Sequence, residues 1–98
     1  MGITVRVLTV VSYDIADDKK REKLHKLLRF YGDSVQYSVF ECWLDDGELA
    51  KLTRRVARYL SCGRDSIRIY RLCKECRGRT MVIGRGREPK GPPRYWVV

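Results

Sequence analysis

Asp14 is the residue whose position most asks for chemistry. It closes the run VVSYD, an apolar β-branched stretch that stops at a carboxylate, and the acids Asp17 and Asp18 follow directly. A carboxylate at the C-terminal tip of a central strand projects beyond the core, where functional groups gather. Capping of the next helix and pairing with a lysine are the structural alternatives, but Asp17 stands nearer the helix start and fills the cap. Carboxylates hold magnesium, a hard cation with oxygen ligands that activates water and neutralises developing charge in phosphodiester hydrolysis. One Asp is too few ligands for a firm site. A twofold axis near the end of the first strand changes the count: two Asp14 side chains then share one magnesium or manganese ion, completed by waters, backbone carbonyls and phosphate oxygens.

Other reactive residues carry weaker signals. His25, the one histidine, falls about 100° off the apolar stripe of its helix and is expected at the surface. Cys42 and Cys62 read as small buried hydrophobes. Cys73-x-x-Cys76 has half the spacing of a zinc site, but no second pair follows, so a tight turn between strands is its expected job, with an oxidised pair as the alternative state. No serine or cysteine stands in a nucleophile motif, and GRGREP lacks the strand-to-helix context of a phosphate loop.

The elements that must position Asp14 follow from periodicity. Alternation from Ile3 to Val11, apolar on one face and mostly apolar on the other, describes a strand in the middle of a sheet. Leu24, Leu27, Leu28 and Tyr31 then switch to helical spacing, giving a helix over about 17–31 that stops at Gly32. SVQYSVFECWL reads as one long strand, bent by a bulge near Tyr37 and Ser38 because its apolar positions change phase there. Leu49, Leu52, Val56 and Leu60 mark a second helix, opened by a capping box from Asp45 to Glu48. SIRIYRL and TMVIG are expected as an antiparallel hairpin around the cysteine pair. The whole is a ferredoxin-like βαββαβ sandwich of α+β class over 1–84. A basic Gly/Pro arm over 85–98 ends in YWVV, a strand expected to join the sheet of a second copy, so Tyr95, Trp96 and Val97 are candidate homodimer contacts.

Ninety-eight residues make one domain, and 21 Lys plus Arg against 12 acids give a net charge of +9. Excess positive charge is most simply used on a polyanion, whose counterions it releases. Residues 77–98 hold six of the basic residues, Arg77, Arg79, Arg85 and Arg87 among them, against Glu88 alone. Nucleic acid is therefore the expected partner, held by backbone and shape, since no base-reading module is present. No apolar stretch nears the ~20 residues a membrane span needs, and the N-terminus reads as a strand and not a signal peptide, so a cytoplasmic location without membrane association is expected.

VVSYDIADDKKREKLHKLLRFYG followed by VQYSVFEC resembles the CRISPR-associated protein two family, the small dimeric partner of the integrase in spacer acquisition. The resemblance spans roughly residues 5–84, through Tyr-Asp-Ile after the first strand and Gln-x-Ser-Val-Phe-Glu after the helix. It implies a ferredoxin-like homodimer with a C-terminal strand exchanged between sheets. It also implies Asp14 as the metal-binding, catalytic acid at the dimer seam with Tyr13 beside it, Ser38 and Phe40 lining the cleft, and Arg21 and Lys23 as basic helix residues near phosphate. Many relatives have a basic residue where Ser34 stands, so this chain lacks that basic group in its cleft. Two functions follow from the resemblance: a scaffold that binds nucleic acid and bridges integrase dimers, which is the favoured role, and a magnesium-dependent endonuclease acting on RNA or DNA. A toxin-like ribonuclease of the same fold is the alternative.

Overall fold

The computed structural model describes residues 5–61 and 63–84. Cys62, Arg85, Arg87, Tyr95, Trp96 and Val97, and with them the arm and exchanged strand expected over 85–98, lie outside the described residues.

The central strand β1 runs Val7–Asp14, and α1 follows over Asp18–Arg29. Asp17 is its N-cap, as expected, its carboxylate accepting the Lys20 N–H at 2.8 Å. Strands β2 (Gly32–Gln36) and β3 (Val39–Leu44) precede α2 (Asp46–Ala57), β4 (Ser66–Leu72) and a short α3 (Lys74–Gly78). The four strands form one antiparallel sheet ordered β2-β3-β1-β4, with β1 between β3 and β4. That order and the chain sequence βαββαβ are those of a ferredoxin-like α+β fold.

α2 opens on the expected capping box. Asp45 Oδ1 accepts the Glu48 N–H at 2.7 Å, and Glu48 Oε1 accepts the Asp45 N–H at 3.0 Å. Such a cap is worth about 1 kcal/mol. Arg6 Nε donates to the same Glu48 oxygen at 3.0 Å, tying the chain ahead of β1 to this helix.

Two expectations are corrected. The long bent strand over 34–44 is a hairpin, with Tyr37 and Ser38 forming a two-residue turn and the bulge displaced to the register shift between Ser34 and Gln36. The change of apolar phase therefore marks a reversal of the chain. Ser38 takes φ 68°, a left-handed value that glycine or asparagine usually supplies at such a turn. The cysteine pair does not turn a hairpin into TMVIG. It opens α3, and Thr80–Ile83 form no strand; Met81 and Ile83 are exposed. KECR consists of residues that extend a helical turn readily, and no residue between 72 and 80 adopts the positive φ of a tight hairpin.

The core lies between the sheet and the two long helices. Thr9, Val11 and Tyr13 of β1 and Phe40, Cys42 and Leu44 of β3 meet Leu24 and Leu28 of α1 and Leu52 and Val56 of α2. Each buried Leu or Val contributes roughly 1.5–3 kcal/mol. Gly32 begins β2 where a Cβ would collide with the Glu41 carbonyl oxygen and Cys42 Sγ, so only glycine lets this edge strand close on β3.

Candidate metal and nucleic-acid site

Side chains alternate across β1, and the alternation separates Tyr13 from Asp14. Thr9, Val11 and Tyr13 point into the helix-covered face, while Val10, Ser12 and Asp14 point to the other. Asp14 is exposed at the end of that second face, opposite Ser66 of β4. The face continues through Ser12 between Val39 and Arg68, Val10 between Glu41 and Tyr70, and Leu8 between Trp43 and Leu72. Neither long helix covers it, and Tyr70 is half exposed there.

Tyr13 was expected at the dimer seam beside Asp14, but period two turns its ring inward, where it is only 5% exposed. Its hydroxyl pairs with His25 Nδ1 at 3.2 Å, and its backbone N–H donates to the Ser38 carbonyl at 3.1 Å. Burial, reinforced by Tyr37, pushes the Tyr13 phenol above its ordinary pKa. His25 is half-buried, not on the surface as expected, with its ring edge-on to Phe40 at 5.0 Å. Sequence reasoning missed it because the partner that draws it in comes from another element; the signal was a tyrosine at an inward strand position, whose hydroxyl needs a partner when buried.

The resemblance implies that Phe40 lines a cleft and touches nucleic acid, with a core position as the alternative, and it is the core position that the structure shows. Phe40 is 0% exposed, packed between Tyr13 and His25, and so cannot reach a ligand: even positions of β3 face the helices. Ser38 holds the turn that abuts β1. Arg21 is half-buried and is engaged by the loop after Asp14, with Nη1 donating to the Ile15 carbonyl at 2.9 Å and Nη2 paired with Asp18. After the bond to Asp18, Tyr37 adds to the electrostatics that raise the Arg21 pKa. Lys23 is exposed on α1. The structure thus gathers Tyr13, His25, Ser38, Tyr37 and Arg21 around the base of the loop that carries Asp14, and leaves Asp14 itself at the rim.

Asp65 clamps that loop from the other side. Its carboxylate accepts the Ser61 N–H at 2.8 Å and the Ala16 N–H at 3.1 Å, and these bonds hold it below the usual carboxylate pKa. A carboxylate whose folded pKa is depressed stabilises the fold above its unfolded value and loses that contribution as pH falls through the folded one. Asp65→Asn is therefore expected to lower Tm by a few degrees at pH 7, with the gap to the parent closing below about pH 4. Thermal melts across pH 2.5–7 check this; a gap that does not change with pH would contradict it.

The open face is electrostatically divided. Asp33 and Glu41 lie opposite one another across β2 and β3, and burial followed by Asp33 raises the Glu41 carboxyl pKa. At the β4 side Arg68 is exposed on the same face as Asp14, one rung along, and Arg77 of α3 sits 4.9 Å from the Trp43 ring centre. Arg79, also exposed, pairs with Glu75 at 2.5 Å. Arg68 was missed in the sequence, although the alternation of SIRIYRL puts Ile67 and Ile69 inside and Arg68 out. Among the described residues no three His, Cys, Asp or Glu side chains cluster to hold a metal. Magnesium is commonly held by one or two carboxylates plus waters and substrate phosphates, and two Asp14 groups brought together fit that donor set.

Known proteins are similar to this chain along most of its length. The sequence model of the family described as CRISPR associated protein Cas2 matches residues 7–80. A protein of Chloroflexus aurantiacus named CRISPR-associated endoribonuclease Cas2 3 is 42% identical over 95% of this chain and 100% of its own. A CRISPR-associated endonuclease Cas2 2 from Thermus thermophilus is 47% identical over 85% of this chain and 88% of its own. A chain of a solved partial Cas6-RT-Cas1–Cas2 complex superposes with a TM-score of 0.73 at 27% identity, covering 89% of this chain and 94% of that one.

Proposed function

The chain belongs to the CRISPR-associated protein Cas2 family, and on that premise we propose that it is a cytoplasmic homodimer that binds nucleic acid and bridges dimers of the CRISPR integrase during spacer acquisition. Endonuclease chemistry on RNA or DNA at the paired Asp14 residues is its second capability. The observation that carries the reading is Asp14: exposed, at the end of the central strand, on the sheet face that no long helix covers. Two such faces brought together about a twofold axis bury the half-exposed Tyr70 and the apolar Val10 and Val39, and set two Asp14 groups at one seam.

Within each subunit the residues divide the work. Tyr13, Ser38 and His25 fix the end of β1 from inside, and Arg21 and Asp65 hold residues 15 and 16, so the Asp14 carboxylate is presented from a stiff support. The two Asp14 carboxylates would hold a magnesium or manganese ion, which would supply an activated water and charge neutralisation. Arg77 and Arg79, with Lys23 and the basic residues Arg85 and Arg87, provide phosphate contacts that carry no sequence preference.

Two measurements test the scaffold reading. Sedimentation of the full chain is expected to give a dimer, and a monomer would overturn the seam. Reversal of Arg77, Arg79, Arg85 and Arg87 to Glu is expected to weaken duplex binding by roughly 10- to 100-fold and to flatten its salt dependence, by about one unit of log–log slope for each phosphate no longer neutralised. Unchanged affinity and slope would place the nucleic acid elsewhere.

A further inference from the structure

Cys73 and Cys76 play no part in the function above, yet they stand with two residues between them in the chain, as free thiols at the start of α3. Both thiols are exposed. Cys73 leaves β4 with φ −66° and ψ 166°, which turns its side chain over the first turn of α3, and the Cys76 N–H donates to Cys73 Sγ at 3.3 Å. The backbone bond from Cys76, then its thiol, draw the Cys73 pKa below the ordinary thiol value, while Cys76 is raised by the same contact. Cys42 shows the contrast. It is buried with no exposure, and desolvation, with Asp33 and Glu41, pushes its thiol up to about 12.

We propose that Cys73 and Cys76 form a reversible dithiol–disulfide pair that closes by exchange with a low-molecular-weight disulfide and stiffens α3. The Cys73 thiolate attacks one sulfur of the oxidant, a new S–S bond forms, and the first oxidant thiolate leaves. Cys76, as its thiolate, then attacks the Cys73 sulfur, forming the Cys73–Cys76 bond and expelling the second oxidant thiolate. The two protons lost by the cysteines pass to the two oxidant thiolates. The protein dithiol is oxidised by two electrons and the small disulfide is reduced to two thiols. α3 carries Arg77 over Trp43 and the Arg79–Glu75 pair, so locking residues 73–76 restrains the basic side chains at this end of the open face.

The test is titration of the full-length protein with glutathione disulfide, followed by peptide mass mapping and amide exchange. Expected are loss of two hydrogens from the peptide containing both cysteines, full reversal by dithiothreitol, and exchange of the 74–78 amides slowed about tenfold in the oxidised form. Cys76→Ser is expected to halt the reaction at a stable glutathione adduct on Cys73, and Cys73→Ser to slow adduct formation at least about tenfold. Both positions are exposed, so neither variant threatens the fold. No reaction, a persistent adduct on the parent protein, a bond between copies or to Cys62, or unchanged amide exchange would each overturn the proposal.

Discussion

Asp14→Ala is expected to cut magnesium-dependent phosphodiester cleavage by at least about 100-fold while leaving Tm almost unchanged. The two halves of that result come from the same geometry. Asp14 is exposed at the rim of the sheet and contributes nothing to the cluster of buried side chains, so its removal falls among surface substitutions, which stay within about 0.5 kcal/mol. The support beneath it, Tyr13 with His25 and Arg21 with the Ile15 carbonyl, stays intact in the variant. Asp14→Asn keeps the shape and removes the charge, and on the proposed function is expected to match Asp14→Ala, because a hard cation held there would lose its anionic ligand in both. Cleavage of a labelled RNA and a labelled duplex, and binding of the same substrates, measured on one preparation with and without EDTA, separate the two proposed roles. Binding unaffected by Asp14→Ala with cleavage lost supports both. Full cleavage retained by the variant would mean that the activity belongs to a contaminating nuclease and that Asp14 is not the catalytic acid.

The helices were legible because their signals are local. Leu24 and Leu28 recur within one element and Asp45 caps within four residues, so neither depends on what the rest of the chain does. The turn at Tyr37 and Ser38 was hidden because serine rarely takes a positive φ; here the pairing of Ser38 with Tyr13 of β1 holds it there, an interaction between segments far apart in sequence. TMVIG has a strand's composition, but among the described residues no neighbour pairs with it. Composition describes what a segment tolerates, and pairing decides what it becomes. At the site, Asp14 was legible from the stop of an apolar run, whereas His25 and Arg68 were not: one is placed by a tyrosine from β1 and the other by the register of β4 on β1.

Phe40→Ala is expected to destabilise the fold by about 3–5 kcal/mol, against a total stability of roughly 5–15 kcal/mol for a domain of this kind. The ring has no exposed surface; it stacks on Tyr13 at 6.5 Å, meets the edge of His25 at 5.0 Å and lies in the same cluster as Leu24 and Leu28. Truncation leaves a cavity that two long helices and a sheet cannot collapse to fill, and it removes the wall against which the Tyr13–His25 pair is set. For about 100 residues such a loss lowers Tm by roughly 15–30 °C. Phe40→Leu keeps most of the volume and is expected to cost less than about 1.5 kcal/mol. The pair of variants decides between the burial seen here and the cleft role expected from the sequence. A core Phe40 gives a large fall in Tm for Ala, a small one for Leu, and unchanged nucleic-acid affinity for Leu at a temperature where it is fully folded. A ring that stacked on a base would give the opposite pattern: both variants folded, and both losing about 1–3 kcal/mol of binding.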